Sequence, residues 1–200
     1  GNLPFMLVVG EGSPARTLEE FLALARQRRG QLSYASGNST GIVSGATMAR
    51  MAGTEMLHVP YRSTPPAMTD VMAGRVDCMF VDIAAALGNI RAGKLRNLGM
   101  TTKERSALLP ETPALAEAGL PGFDITSWNG VFAPARTPRP VIDALNAAIR
   151  VPLARPEVRA RLAEIGHDAF SGTPEELGAF VQEQLVVWRN LVEAAGIPKE

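Results

Sequence analysis

The sequence predicts an α/β fold, a mostly parallel sheet followed by a mainly helical remainder. Short apolar runs alternate with helical patterns of roughly a dozen residues, the rhythm of βαβ units. Successive runs stop at small hydroxyl or polar residues that open the next helix, as at Ser36 to Gly41 and Tyr61 to Thr64. Beyond a Pro-rich link, Pro134 to Pro140, the chain shows three amphipathic helical patterns and little strand.

Each element has its own signal. Leu7, Val8 and Val9 form an apolar strand ending at Gly10. Thr17 and Glu20 have capping-box spacing. Leu18, Phe21, Leu22 and Ala25 repeat at the interval of one helical face, and Gly30 suits the stop. Leu32 to Ser36 reads as a strand, Gly37-Asn38-Ser39-Thr40-Gly41 as a loop, and a helix follows from near Gly41 to Gly53. Its Ser44, Gly45, Ala46 and Ala49 permit close packing on a sheet. A strand over Met56 to Tyr61 ends at Arg62-Ser63-Thr64, and Pro65-Pro66 fit the first turn of a helix that runs to Gly74. Val76 to Asp82, a short helix around Ala84 to Ile90, and a strand over Leu95 to Met100 complete the alternation.

From Lys103 the rhythm breaks. Ala114 to Gly119 reads as a brief helix and Ile125 to Phe132 as a strand-like run crossed by Gly130. Helices then follow over Pro138 to Arg150, over Pro156 to Ile165, and from the capping box Thr173 to Glu176 as far as Gly196. Their apolar faces carry Leu145, Ile149, Phe180 and Trp188, yet few strands remain for those faces to cover. An apolar patch of this kind suggests self-association.

Composition narrows the function classes. Of 200 residues, 46% are hydrophobic, and 20 basic side chains match 20 acidic ones. That balance lacks the basic patch or tail that nucleic acid or an anionic membrane surface favours. The lone cysteine, Cys78, excludes an intrachain disulfide and sits in an apolar run, as a packed thiol would. No apolar run approaches the ~20 residues of a membrane span. Leu3 to Val9 suits a buried strand better than a signal peptide, and a chain opening on Gly1-Asn2 implies sequence upstream. His58, His167 and Cys78 have no metal-ligand spacing. Neither a nucleophile elbow nor a phosphate-binding glycine motif with its Lys is present. These readings point to no cofactor and no metal, and no catalytic constellation stands out, although a Ser-His-Asp triad stays open.

The strand ends carry the candidate chemistry. Ligands of open α/β sheets bind where strand C-termini meet helix N-termini, and free N–H groups there favour an anion. The candidates are Ser36, Gly37, Asn38, Ser39, Thr40 and Gly41 in the first loop, Tyr61, Arg62 and Ser63 in the second, and Asp82 at the third strand end. Each has a plain structural alternative: Ser39 or Thr40 as a helix cap, Arg62 as a solvated charge, Asp82 as the next cap. A small α/β enzyme would have only His58, Asp82 and Cys78 to work with. An effector-sensing module is the other alternative.

At YASGNSTG, HVPY (58 to 61), PPAMTDV (65 to 71), RSALLPETP (105 to 113), SWNGVFAPARTP and AGIP (195 to 198) the chain resembles the substrate-binding proteins of tripartite tricarboxylate transporters, the TctC or Bug receptors. The resemblance implies a type II periplasmic-binding-protein architecture of two α/β lobes. Residues 7–127 would be one complete lobe, and residues 1–6 with 128–200 an incomplete remainder of the other. It implies a periplasmic, non-enzymatic receptor for di- or tricarboxylates or acidic amino acids that delivers its ligand to membrane permease subunits. The ligand loop would fall on Ser36 to Gly41, with neighbouring strand ends at Tyr61 to Ser63 and at Val81-Asp82. Where family members often carry a His soon after that loop, Ile42 and Val43 stand here. About a hundred residues of the family's first lobe would precede Leu3, so binding by this short chain is expected to be impaired.

Overall fold

The computed structural model describes residues 1–197; Pro198, Lys199 and Glu200, which close the AGIP motif and the second lobe range, lie outside the described residues. A five-stranded sheet has the order β4-β3-β5-β2-β6. Its strands are β2 (Phe5–Gly10), β3 (Ser33–Ser36), β4 (Leu57–Pro60), β5 (Cys78–Asp82) and β6 (Leu95–Met100). Helices α1 (Leu18–Gln27), α2 (Ser39–Met51), α3 (Thr64–Met72) and α4 (Ile83–Arg91) connect them. β3 runs parallel to both β4 and β5. β2 lies between β5 and β6 and is antiparallel to each, which makes the sheet mixed rather than simply parallel. The reason is its point of entry. Phe5 opens β2 opposite Asp82, at the edge where β5 ends, so β2 must run the other way.

β2 is buried on both faces, and the sheet divides two cores. Leu7, Val9, Tyr34 and Phe80 pack with Phe21 of α1 and Met48 of α2. Met6, Val8, Ala35, Met79 and Val81 pack with Val71 of α3 and Ala86 of α4. Close packing of α2 depends on Gly45, where a Cβ would stand 2.2 Å from the Tyr34 ring. Thr17 caps α1 at Glu20 N–H, while the Glu20 carboxylate accepts from Arg16 rather than closing the box on Thr17.

Two sequence expectations fail after β6. Residues 114–119 form turns, not a helix, because Ala114 and Leu115 are held alongside Met100: Met100 N–H donates to Pro113 O and Leu115 N–H to Met100 O, both at 2.8 Å. Of the run over 125–132, only β7 (Ser127–Trp128) is strand, paired antiparallel with β1 (Asn2–Leu3). Ile125 N–H is already committed to Thr101 O.

Helices α5 (Arg139–Leu153), α6 (Pro156–Glu164) and α7 (Pro174–Ala194) make up the remainder, and none of their residues is buried. Thr173 and Glu176 form the complete capping box of α7. The first half of α7 sets Phe180 edge-on to Trp128 at 5.2 Å. Its second half lays Trp188, Leu191 and Val192 against the α1/α2 core, so Trp188 belongs to the covered surface rather than to an open apolar face. The open face is formed instead by Val131, Phe132 and Leu145, which are 71%, 65% and 48% exposed. Between them lies an apolar cavity of about 730 Å³.

Candidate functional site

Parallel pairing places the ends of β3, β4 and β5 at one edge, with Ser36 opposite Pro60. α2, α3 and α4 therefore all begin there and present positive dipole ends. Asn38 is the α2 N-cap, its Oδ1 accepting from Gly41 N–H at 2.8 Å. The helix starts at Ser39, two residues before the sequence suggested, because the amide side chain of Asn38 replaces the first turn's missing acceptor. Ser39 is exposed, while Thr40 is 7% exposed and its hydroxyl makes no hydrogen bond among the described residues. The N–H groups of Ser39 and Thr40 have no intrahelical acceptor.

The second loop touches the first. A Cβ on Gly37 would lie 2.2 Å from Ser63 C and 2.4 Å from Thr64 N, so glycine is required by this contact. Asn38 Nδ2 donates to Thr64 Oγ1 at 3.3 Å, and Tyr61 N–H donates to Ser36 O at 2.8 Å. Ser63 is the α3 N-cap position but makes no side-chain cap bond. Pro65 and Pro66 contribute no N–H to this helix end. The free donors are accordingly the Ser63 hydroxyl and the first main-chain N–H groups.

The remaining candidates divide. Arg62 is exposed and forms no ion pair or hydrogen bond among the described residues. The Tyr61 hydroxyl turns away from the loops and donates to Asp70 Oδ2 at 2.5 Å, which raises its pKa. Asp70 is held below the usual carboxylate range by the Arg75 guanidinium and then by Tyr61. Asp82 caps α4, accepting from Ala85 N–H at 2.9 Å. The α4 end is thus already matched with a carboxylate, and the unmatched positive ends are those of α2 and α3.

Ser36 is buried, and its hydroxyl lies 2.6 Å from His58 Nε2. The His58 ring stacks on Tyr34 with centroids 5.0 Å apart. Burial lowers the pKa of His58 and favours the neutral ring. This pair was not foreseen from the sequence. The available signal was the two-residue alternation that puts Tyr34, Ser36 and His58 on one face of the sheet. No carboxylate bonds His58 among the described residues, so the third member of a hydrolytic triad is missing. Cys78 is fully buried, and burial pushes its thiol well above the ordinary value, which disfavours the thiolate. Among the described residues no group of three metal-ligating side chains occurs. A polar pocket of about 350 Å³ lies around Thr102, Lys103, Asp124 and Asp168, apart from the α2 and α3 ends. The candidate edge itself is an open ledge. It can receive an anion through N–H groups, hydroxyls and one guanidinium.

The profile described as "Tripartite tricarboxylate transporter family receptor" matches residues 1–197. A Pseudomonas sp. (strain P51) protein named "UPF0065 protein in tcbD-tcbE intergenic region" is 42% identical over 96% of this chain, and the chain spans 58% of that relative's length. The structure of R. palustris Rpa4515 with adipate superposes with a TM-score of 0.92 at 31% identity, covering 98% of this chain and 66% of the other. MatC from Rhodopseudomonas palustris with bound malate gives 0.80 at 32% identity, covering 96% and 67%. The periplasmic binding protein BugD gives 0.87 at 28% identity, covering 100% and 68%.

Proposed function

The chain belongs to the tripartite tricarboxylate transporter receptor family, and on that premise we propose that it supplies one wall of an extracytoplasmic carboxylate receptor. The observation that carries this reading is the contact of Gly37 with Ser63 and Thr64, which sets two helix N-termini side by side at one strand edge. One carboxylate group of the ligand would lie across the N–H groups and hydroxyls of Ser39, Thr40 and Ser63. Arg62 would meet a carboxylate as a bidentate partner. Gly41 and Asn38 hold the first loop, Ser36 and Tyr61 tie the two loops together, and Asp82 orders the neighbouring helix end. A small dicarboxylate fits this arrangement, and both adipate and malate, held by related structures, are dicarboxylates. The receptor would pass its ligand to the permease subunits of a tripartite transporter without changing it chemically.

A single wall leaves the far side of a ligand in water, where charged hydrogen bonds are weak. Residues 1–200 alone should therefore bind malate or adipate much more weakly than a protein of the relatives' full length that carries this sequence. Calorimetric titration of both with a dicarboxylate and acidic-amino-acid panel is the test. Micromolar binding by the longer protein is expected. No heat with any carboxylate in the longer protein would end the reading, and micromolar binding by residues 1–200 would end the one-wall argument. In the longer protein Thr40→Val should lower affinity about three- to tenfold, the value of one hydrogen bond; unchanged affinity would reduce Thr40 to a helix-start residue.

A further inference from the structure

We propose that His58 is a positioning residue for the anion-binding edge, holding the end of β3 and the Gly37–Gly41 turn through Ser36. The proposal rests on the carboxylate reading above for its consequence, but its geometry stands alone. Ser36 is the last residue of β3, is 2% exposed, and has its hydroxyl 2.6 Å from His58 Nε2. The half-buried imidazole is also stacked on Tyr34, at an interplanar angle of 22°. Tyr34 is in turn pressed against Gly45 of α2. β4, which carries His58, is an edge strand paired only with β3. The Ser36–His58 contact therefore adds a side-chain tie next to the main-chain bond from Tyr61 N–H to Ser36 O.

Both sides of the cradle depend on where Ser36 stands. Its successor, Gly37, abuts Ser63 and Thr64. Its Cβ lies 3.4 Å from where a Cβ on Gly41 would stand, so it supports the first turn of α2 from below. A displacement of Ser36 by a few tenths of an ångström would misalign the α2 donors and alter the gap to α3. His58 meets Ser36 and Tyr34, and its effect on the edge is transmitted through Ser36.

The test follows amide resonances of residues 37–41 and 61–64 in residues 1–200, without ligand and during titration with malate. His58→Phe keeps an aromatic ring over Tyr34 and removes the nitrogen. It is expected to shift these resonances in the free chain and to raise the malate concentration at half-saturation about three- to tenfold. His58→Gln, whose amide can reach the Nε2 position, should restore both. Ser36→Ala breaks the same contact from the other side and should reproduce the His58→Phe displacement. Unchanged free-chain resonances in His58→Phe and Ser36→Ala would overturn the proposal, as would a folded His58→Gln that restores nothing. If malate and adipate move no amide of residues 1–200, the half-saturation comparison is made in the longer protein, where silence ends the carboxylate reading, while the free-chain comparison still decides the role of His58.

Discussion

At the scale of single residues, close approach constrains the site more than conformation does. Gly37 does not have a positive φ. It is glycine because the main chain of the next loop occupies the space a methyl group would need. Gly37→Ala should cost about 1–3 kcal/mol, as overpacking does, measured as a lower urea midpoint with unchanged slope. His58 makes a prediction of the opposite kind, since burial lowers its pKa below the ordinary 6.5. Above that value both the folded and the unfolded chain hold a neutral ring, and His58 imposes no penalty. As pH falls, the unfolded chain takes up the proton first, so stability declines until the folded value is passed. Urea midpoints measured from pH 7 down to pH 5 should fall less in His58→Gln than in the wild type.

At the scale of elements, the helix starts decide what the strand edge can do. The sequence pattern located α2, α3 and α4 within two residues or so of their observed starts. It did not identify Asn38 as the cap of α2, because Asn38, Ser39 and Thr40 are all good capping residues. Only the fold shows that Asn38 also reaches Thr64 and so joins two elements. Asn38→Ala should cost about 1 kcal/mol, the usual value of an N-cap, seen in the urea midpoint. Tyr61 shows the limit of such reading. Its place after a strand suggested a ligand contact, but α3 offers Asp70 at the right height and takes the phenol. Nothing in local sequence announces a pairing set by the angle between a strand and the helix after it.

At the scale of the whole molecule, the two parts are held differently. The sheet of β2–β6 has a core on each face, whereas α5, α6 and α7 bury no residue. α7 links them, with Phe180 on Trp128 and Trp188 on the α1/α2 core. The exposed Val131, Phe132 and Leu145 should make the chain bind the dye ANS in its native state. Phe132→Ser combined with Leu145→Gln should reduce that fluorescence and leave the free energy of unfolding in urea within about 0.5 kcal/mol of wild type, as for surface changes. A large loss of stability would mean that this face is packed in solution.

The sequence by itself determined the α/β class, the order of elements from β2 to β6 and the three helices that close the chain. These follow from local signals: periodicity, capping chemistry, and hydroxyl residues at strand ends. Tertiary structure alone decided that β2 runs against its neighbours, that residues 114–119 lie alongside β6 as turns, and that Trp188 is covered. It also decided that Ser36 has His58 beside it and that Gly37 touches Ser63. Each of these depends on the direction in which distant segments approach one another, which hydrophobic periodicity does not encode.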